Sequence, residues 1–187
     1  MLELSIALPI KVQNGGLFIS RGVGRHPARK LSSWEIIFVE KGTLTIQEEN
    51  TLFEVNAGES LLLWPKRRHV GVEDFPGDLK FYWLHFEVDE RLPVLPGATP
   101  LSIEQHCSVR DPQYVIALFR QFLSEQEKLQ RSQALEIILL LILQQISLSP
   151  GYEDKADDAG AAMAWKAKQL IRTHFHLPIS TSQLAKE

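Results

Sequence analysis

The hydrophobic pattern of this chain changes abruptly at Asp111-Pro112. Residues 17–103 consist of short apolar runs, rich in β-branched and aromatic side chains, that are separated by Gly, Pro, Asn and Asp. This pattern is typical of many short β-strands. After Asp111, apolar residues recur at helical spacing, and Asp followed by Pro is a signal for the start of a helix. We therefore predict a β-sandwich or β-barrel in residues 17–110, followed by helices.

Along the longest predicted strand, residues 79–88, side chains alternate between two faces. One face holds Phe81, Trp83, His85 and Glu87, and the other holds Tyr82, Leu84, Phe86 and Val88. The first face suits a ligand pocket, in which Trp83 stacks on a ring and His85 forms a hydrogen bond. The alternative is that Trp83 is a core residue and His85 a histidine with satisfied hydrogen bonds. Trp34 and Trp64, at the ends of two continuous apolar runs, are predicted to lie in the core.

Two helices are predicted between residues 111 and 148. The second carries an apolar stripe that we assign to dimerisation: Leu135, Ile138, Leu139, Ile142 and Leu143. Ile137, Leu140 and Leu141 make this helix apolar nearly all round, which favours burial on two sides, against its own β domain and against a second subunit. The alternative is a helix wrapped within a monomer.

The remainder of the chain is predicted to be a linker followed by part of another domain. Residues 149–160 are polar, acidic and flanked by helix breakers, which is typical of a linker. Residues 161–187 return to helical spacing, and a capping box begins at Ser180. A helix that starts there and stops at Glu187 is too short to be stable alone, so we expect a truncated domain.

Charge and cysteine content exclude several classes of protein. The formal net charge of −3 argues against a chain that binds duplex nucleic acid along its whole length, because such binding relies on excess Lys and Arg. Cys107 is the single cysteine, and no secretion signal is recognisable. The longest purely apolar run, residues 137–143, is far shorter than the roughly 20 residues of a membrane-spanning helix. We expect a cytoplasmic protein without a membrane partner.

Several motifs occur together in the order found in one protein family. They are WEIIFVEKG at 34–42, AGESLLLWP at 57–65 followed by His69, YWLHF at 82–86, and the helical segments 165–175 and 179–185. The first three resemble the cupin effector-binding domain of AraC-type transcriptional regulators. The helical segments resemble the first helix of that family's DNA-binding domain and the opening of its first helix-turn-helix.

The resemblance implies a fold and a role for each segment. The implied fold is mainly β with α: a cupin-like double-stranded β-helix, or jelly-roll barrel, followed by two antiparallel helices and a partial helical DNA-binding domain. The segments are an N-terminal arm (1–16), the effector-binding barrel (17–110), a helical dimerisation segment (111–148), the linker (149–160) and the start of the helix-turn-helix domain (161–187). The implied protein is a homodimer that binds DNA through residues beyond 187, so no DNA-binding residue is expected in this chain.

The metal-binding pattern of cupins is only half present. Glu35 and His69 stand at the spacings from Gly42 and Gly58 that the pattern requires, but residues 28–31 lack its two upstream histidines, and His26 lies too far upstream. Divalent metal sites usually need at least three protein ligands. We therefore expect no metal, no cofactor and no enzymatic activity.

Two basic clusters favour an anionic effector, because Arg presents a planar fork to carboxylate or phosphate. They are Arg21, Arg25, His26, Arg29 and Lys30, and Lys66, Arg67, Arg68 and His69. Solvated loop charge is the alternative explanation. Arg29 stands where family members often place an effector-contacting arginine, and the predicted pocket comprises Arg29, Glu35, His69, Trp83 and His85.

The predicted function is a ligand-responsive DNA-binding transcription regulator, for which this chain supplies effector sensing and dimerisation. The effector is expected to be a sugar or another small polar molecule. Two alternatives stay open at this point, a metal-dependent cupin enzyme and a ligand-free dimerisation module with a filled barrel.

Overall fold

The computed structural model describes residues 2–3, 6–89 and 100–148, which belong to one compact unit. They form the strands β1 (Ile10–Ile19), β2 (Arg29–Lys30), β3 (Trp34–Lys41), β4 (Thr43–Glu48), β5 (Thr51–Asn56), β6 (Glu59–Leu63), β7 (Arg68–Gly71), β8 (Lys80–Val88) and β9 (His106–Ser108), and the helices α1 (Pro112–Gln126) and α2 (Ala134–Ser147). The predicted linker (149–160) and DNA-binding segment (161–187) lie outside the described residues. No described helix has the length and hydropathy needed to cross a membrane.

The strands form two antiparallel sheets. The larger sheet has the order β1-β8-β3-β6-β9, and the smaller has the order β2-β7-β4-β5. The prediction of a mainly β fold followed by two helices is confirmed. Within the described residues no ladder joins the two sheets, so the predicted barrel is not closed.

The first strand begins earlier than the sequence predicts. β1 starts at Ile10 and pairs along its length with β8, from Ile10 opposite Val88 to Ile19 opposite Lys80. The boundary predicted between arm and barrel at residue 17 therefore falls inside a strand of the larger sheet. The reason is the length of β8, which pairs with every residue of β1 except Gln13, where the register shifts.

The larger sheet is covered on both faces. One face packs against α1 and α2, and the other packs against the smaller sheet. On β3, Ile36 and Phe38 point into the first core and Ile37 and Val39 into the second. Burial on both sides explains why β3 is a continuous apolar run rather than an alternating one.

β8 shows the alternation that the sequence predicts. Tyr82, Leu84 and Phe86 pack against the helices, whereas Phe81 and Trp83 lie on the side of the smaller sheet. One strand thus connects the core beneath the helices with the space between the sheets.

The first helix starts as predicted, but the apolar stripe of the second has a different role. Asp111 caps α1 by accepting a hydrogen bond from the Tyr114 amide, and Pro112 occupies the first turn. The stripe that we assign to dimerisation is buried in the chain's own core: Leu135, Ile138, Leu139, Ile142 and Leu143. These side chains pack α2 on α1 and on the larger sheet within the same chain. Their assignment to a subunit interface is corrected, because they have no surface left for a second subunit.

The prediction that Trp64 lies in the core is wrong. Its side chain is 39% exposed, because β6 ends at Leu63 and Trp64 stands where the chain leaves the sheet. Trp34 is half-buried and lies against Trp64, with ring centroids 4.6 Å apart. The Arg67 guanidinium lies over the Trp64 ring, 4.7 Å from its centroid. The two tryptophans therefore contact each other at the end of β6, where Trp64 is partly open to solvent.

Candidate functional site

A cavity of about 300 Å³ is lined by residues from both sheets and from the loop before β2. This volume lies at the lower end of the range, about 300–1,000 Å³, that is usual for small-molecule sites. The lining residues are Phe18, Arg25, His26, Pro27, Arg29, Glu35, Phe75, Phe81 and Trp83.

Aromatic rings form the apolar wall of the cavity. Phe18 lies between Phe75 and Phe81, with ring centroids at 4.6 and 4.8 Å. Trp83 lies opposite Gly16 in the β1–β8 ladder, and a Cβ on Gly16 would come within 2.6 Å of the Trp83 ring. The absence of a side chain at residue 16 therefore makes room for the indole beside the cavity.

The polar part of the site begins with two cross-strand partners on the larger sheet. Glu35 on β3 is directly opposite His85 on β8, and both are buried. Oε1 of Glu35 lies 3.9 Å from Nε2 of His85, whose Nδ1 lies 3.3 Å from the Ser33 hydroxyl. The Ser33 contact holds the imidazole so that its other nitrogen faces the carboxylate.

The smaller sheet contributes a second pair. Arg29 on β2 is opposite His69 on β7. Nε2 of His69 lies 3.7 Å from Oε2 of Glu35, so two histidines approach different oxygens of the same carboxylate. Arg29 lines the cavity, whereas the side chain of His69 is almost completely buried behind it.

His26 reaches the same place from the loop that precedes β2. Its ring centroid lies 5.3 Å from that of His69, and its Nδ1 lies 3.1 Å from the carbonyl oxygen of Pro27. The Gly71 amide donates to the His26 carbonyl at 2.9 Å, and a Cβ on Gly71 would lie 2.5 Å from the His26 amide nitrogen. Only a residue without a side chain allows this close approach.

Burial dominates the electrostatics of this cluster. Burial raises the pKa of Glu35 to about 7, although the charge of Arg29 opposes this rise. Burial, followed by the charge of His69, lowers the pKa of His26 to about 4, and burial together with Arg29 lowers the pKa of His85 to about 4. Burial and Arg29 also lower the pKa of His69. The three imidazoles are therefore predominantly neutral at pH 7.

The structure brings all five predicted pocket residues together. Arg29, Glu35 and Trp83 line the cavity, while His69 and His85 lie behind Glu35. The spacing of the cupin metal pattern excludes His26 as a ligand, because its distance along the chain from Glu35 does not fit that pattern. The contribution of Phe18 and Phe75 was also missed, since neither stands in a recognisable motif. The close contact at Gly71 that positions His26 leaves no signal in the spacing.

Comparisons with known proteins match most of the chain to one family model. Residues 20–143 match the model described as the AraC-like ligand binding domain. The chain is 38% identical over 77 residues to the uncharacterised HTH-type transcriptional regulator YisR of Bacillus subtilis (strain 168). That match covers 38% of this chain and 27% of the relative, so it spans about a quarter of the relative's length.

Solved structures with similarity to this chain include a Cupin 2 conserved barrel domain protein from Salinispora arenicola CNS-205, at 16% identity and a TM-score of 0.35. This match covers 46% of this chain and 69% of that chain. A protein from E. coli (strain K12) is 12% identical with a TM-score of 0.37, over 47% of this chain and 100% of that chain.

Proposed function

The chain belongs to the AraC-like ligand-binding domain family, and from this premise we propose that it senses a small molecule on behalf of a homodimeric, DNA-binding transcription regulator of the cytoplasm. The observation that carries the proposal is the cavity lined by Arg29, Glu35 and an aromatic wall. The regulatory role is supported by the B. subtilis relative, whose name describes a helix-turn-helix regulator. On this proposal the cavity binds a ligand without transforming it.

The lining of the cavity favours a small ligand with an anionic group and an apolar body. Arg29 forms no ion pair within the described residues, so its guanidinium is available for a carboxylate or phosphate. Arg25, by contrast, is paired with Asp74 at 3.1 Å. Phe18, Phe81 and the other aromatic rings suit a ring or short aliphatic chain. Aromatic carboxylates combine these features, and sugar acids share the anionic group.

The strand β8 contacts both the cavity and the helices. Trp83 lies at the cavity, and its neighbours Tyr82 and Leu84 pack beneath α1 and α2. Phe119 of α1 stacks on Tyr82 with centroids 5.0 Å apart. A ligand that binds more tightly to one arrangement of β8 would shift the helices towards that arrangement.

Dimerisation is proposed for the face of α2 that points away from the core. Ile137 is 44% exposed, and Leu140 and Leu141, which contact the edge of the core, are only partly buried. Leu148, just after the helix, is also exposed. Residues 137, 141 and 148 share one side of the helix, so a second copy could cover them together.

Thermal-shift screening of the purified chain tests ligand sensing. The library contains sugars, sugar acids, aromatic carboxylates and their neutral amides. A ligand that binds only the folded state stabilises it by about 2.7 kcal/mol at a concentration of one hundred times Kd, which raises the melting temperature by several degrees. We expect a carboxylate to give such a shift and its amide to give a much smaller one.

Arg29→Ala and Lys30→Ala form a matched pair for this experiment. Both residues are exposed on β2, but only Arg29 lines the cavity. Arg29→Ala is expected to weaken binding of the carboxylate at least tenfold, whereas Lys30→Ala leaves its affinity unchanged. An equal loss of carboxylate affinity in the two variants would mean that general surface charge causes the effect. It would contradict a contact between Arg29 and the ligand. No shift with any compound would favour the ligand-free dimerisation module.

A further inference from the structure

Three buried side chains beside the cavity converge on one point. His26, Glu35 and His69 each offer one atom of a kind that ligates metals, and these atoms all lie within 4.8 Å of one another. They come from three separate places: the loop before β2, the strand β3 and the strand β7. None is more than 5% exposed, although His26 and Glu35 also line the cavity.

Two of these three residues have buried polar atoms without a partner in the described part of the chain, and a bound cation would supply one for Oε2 of Glu35 and for one ring nitrogen of His69. Within the described residues, Oε2 of Glu35 and both ring nitrogens of His69 are buried and have no hydrogen-bond partner. Buried polar atoms without a partner are rare, and an unpaired buried carboxylate is especially costly. The distance of 3.7 Å between Oε2 of Glu35 and Nε2 of His69 is too long for a hydrogen bond between them.

The surrounding contacts orient these atoms inwards. Nδ1 of His26 donates a hydrogen bond to the Pro27 carbonyl, so in the neutral imidazole Nε2 carries the free lone pair. His85 faces Oε1 of Glu35, so Oε2 is the oxygen that remains for His26 and His69. Backbone carbonyls and neighbouring side chains commonly fix metal-binding residues in this way.

We propose that His26, Glu35 and His69 bind a divalent first-row transition-metal ion beside the effector cavity. Two imidazoles and one carboxylate are ligands that suit iron(II), cobalt(II) and zinc(II), and three protein ligands leave positions for water or a small molecule. His85 is a positioning residue that acts through Glu35. The site does not depend on the identity of the effector or on the proposed regulatory function.

Cobalt(II) and zinc(II) are the probes for this site. The chain is prepared without a histidine tag and freed of metal with a chelator, then titrated with Co²⁺ while visible absorption is recorded, and Zn²⁺ affinity is measured by competition with a chromophoric chelator. We expect one equivalent of metal per chain. Glu35→Gln and His26→Gln are each expected to weaken Zn²⁺ binding at least ~100-fold, since changes to outer-shell residues alone typically cost ~10–100-fold.

Two further variants separate ligation from other effects. His106→Gln removes a histidine that lies on β9 and pairs with Glu59, so Zn²⁺ binding should be unchanged. His85→Gln should weaken binding by roughly tenfold, as expected for a residue that only orients a ligand. Circular dichroism and metal-free melting temperatures establish that each variant is folded, and Glu35→Gln, which removes a buried charge, should remain folded. Failure of the wild-type chain to bind Co²⁺ or Zn²⁺ would overturn the proposal, as would equal affinity in wild type, His26→Gln and Glu35→Gln.

Discussion

Gly71, the last residue of β7, lets the backbone of His26 lie directly against the sheet. A Cβ at residue 71 would lie 2.5 Å from the amide nitrogen of His26 and 2.9 Å from its Cβ. Backbone atoms cannot give way as a flexible side chain can. The position of His26 in the cluster with Glu35 and His69 therefore depends on a residue that has no side chain of its own.

Gly71→Ala is expected to lower the free energy of unfolding by about 1–3 kcal/mol, as overpacking does. Gly77→Ala is the control, because a Cβ there would meet only the Cα of Gly22, at 3.9 Å. The control should stay within about 0.5 kcal/mol of wild type. Urea unfolding of the metal-free proteins measures both, and an equal stability of the two variants would mean that His26 is not held tightly against β7.

At the scale of single elements, α2 carries two different apolar surfaces. Leu139 and Ile142 are fully buried in the core beneath the helix, whereas Ile137 is 44% exposed. A helix that is apolar on more sides than its own core requires has surface left for a partner. The proposed dimer interface belongs to this second surface and leaves the packing of the first intact.

Ile137→Lys should convert the proposed dimer to a monomer without unfolding it. A charge at the centre of an apolar interface must lose its hydration without gaining a partner, whereas the same charge on a monomer surface stays in water. Sedimentation velocity measures the oligomeric state, and circular dichroism the fold. Gln121→Lys adds the same charge at an exposed position of α1 and should leave the dimer unchanged. A wild-type chain that sediments as a monomer at all concentrations would contradict the proposal.

For the molecule as a whole, Glu40 connects the larger sheet to α1. Its carboxylate lies 2.9 Å from Nζ of Lys80 on β8 and 3.7 Å from Nη2 of Arg120 on α1. Burial acts to raise the pKa of Glu40, but hydrogen bonds from Lys80 and Tyr82 and the charges of Lys80 and Arg120 outweigh it, so the pKa is lowered from 4.5. A carboxyl group with a lowered pKa in the folded state stabilises the fold above its unfolded pKa and loses that contribution as the pH falls.

Glu40→Gln should therefore reduce the acid sensitivity of the fold. We expect the variant to be less stable than wild type at pH 7, by under ~1 kcal/mol for such a partly exposed group. The difference should disappear as the pH falls from 4.5 through the lowered pKa. Urea midpoints across this range measure the effect. Glu54→Gln, on the exposed face of β5, is the control, and its urea midpoint should change with pH as that of wild type does. The same pH dependence of the midpoint in both variants would refute the role of Glu40.

Sequence patterns determined the local structure of this protein. The change from strand-like to helical spacing at Asp111 predicted where the strands end and the helices begin. The alternation along β8 predicted that Phe81 and Trp83 lie on one face of the strand and Tyr82 and Leu84 on the other. These features depend on neighbours close in the chain, where the backbone fixes the direction of each side chain. The motif resemblance also selected residues, Arg29 and Glu35 among them, that the structure places at one cavity.

Tertiary structure decided which surfaces meet and which residues complete the site. A buried stripe on a helix looks the same in sequence whether its partner is a sheet or another subunit, and the structure shows that Leu139 and its neighbours pack within the chain. His26 enters the cluster through contact with Gly71, 45 positions later in the sequence. Spacing along a chain predicts distance in space only where the backbone is regular. His26 lies in the loop before β2, where no such regularity holds. Tertiary packing therefore decides that His26 lies beside Glu35 and His69.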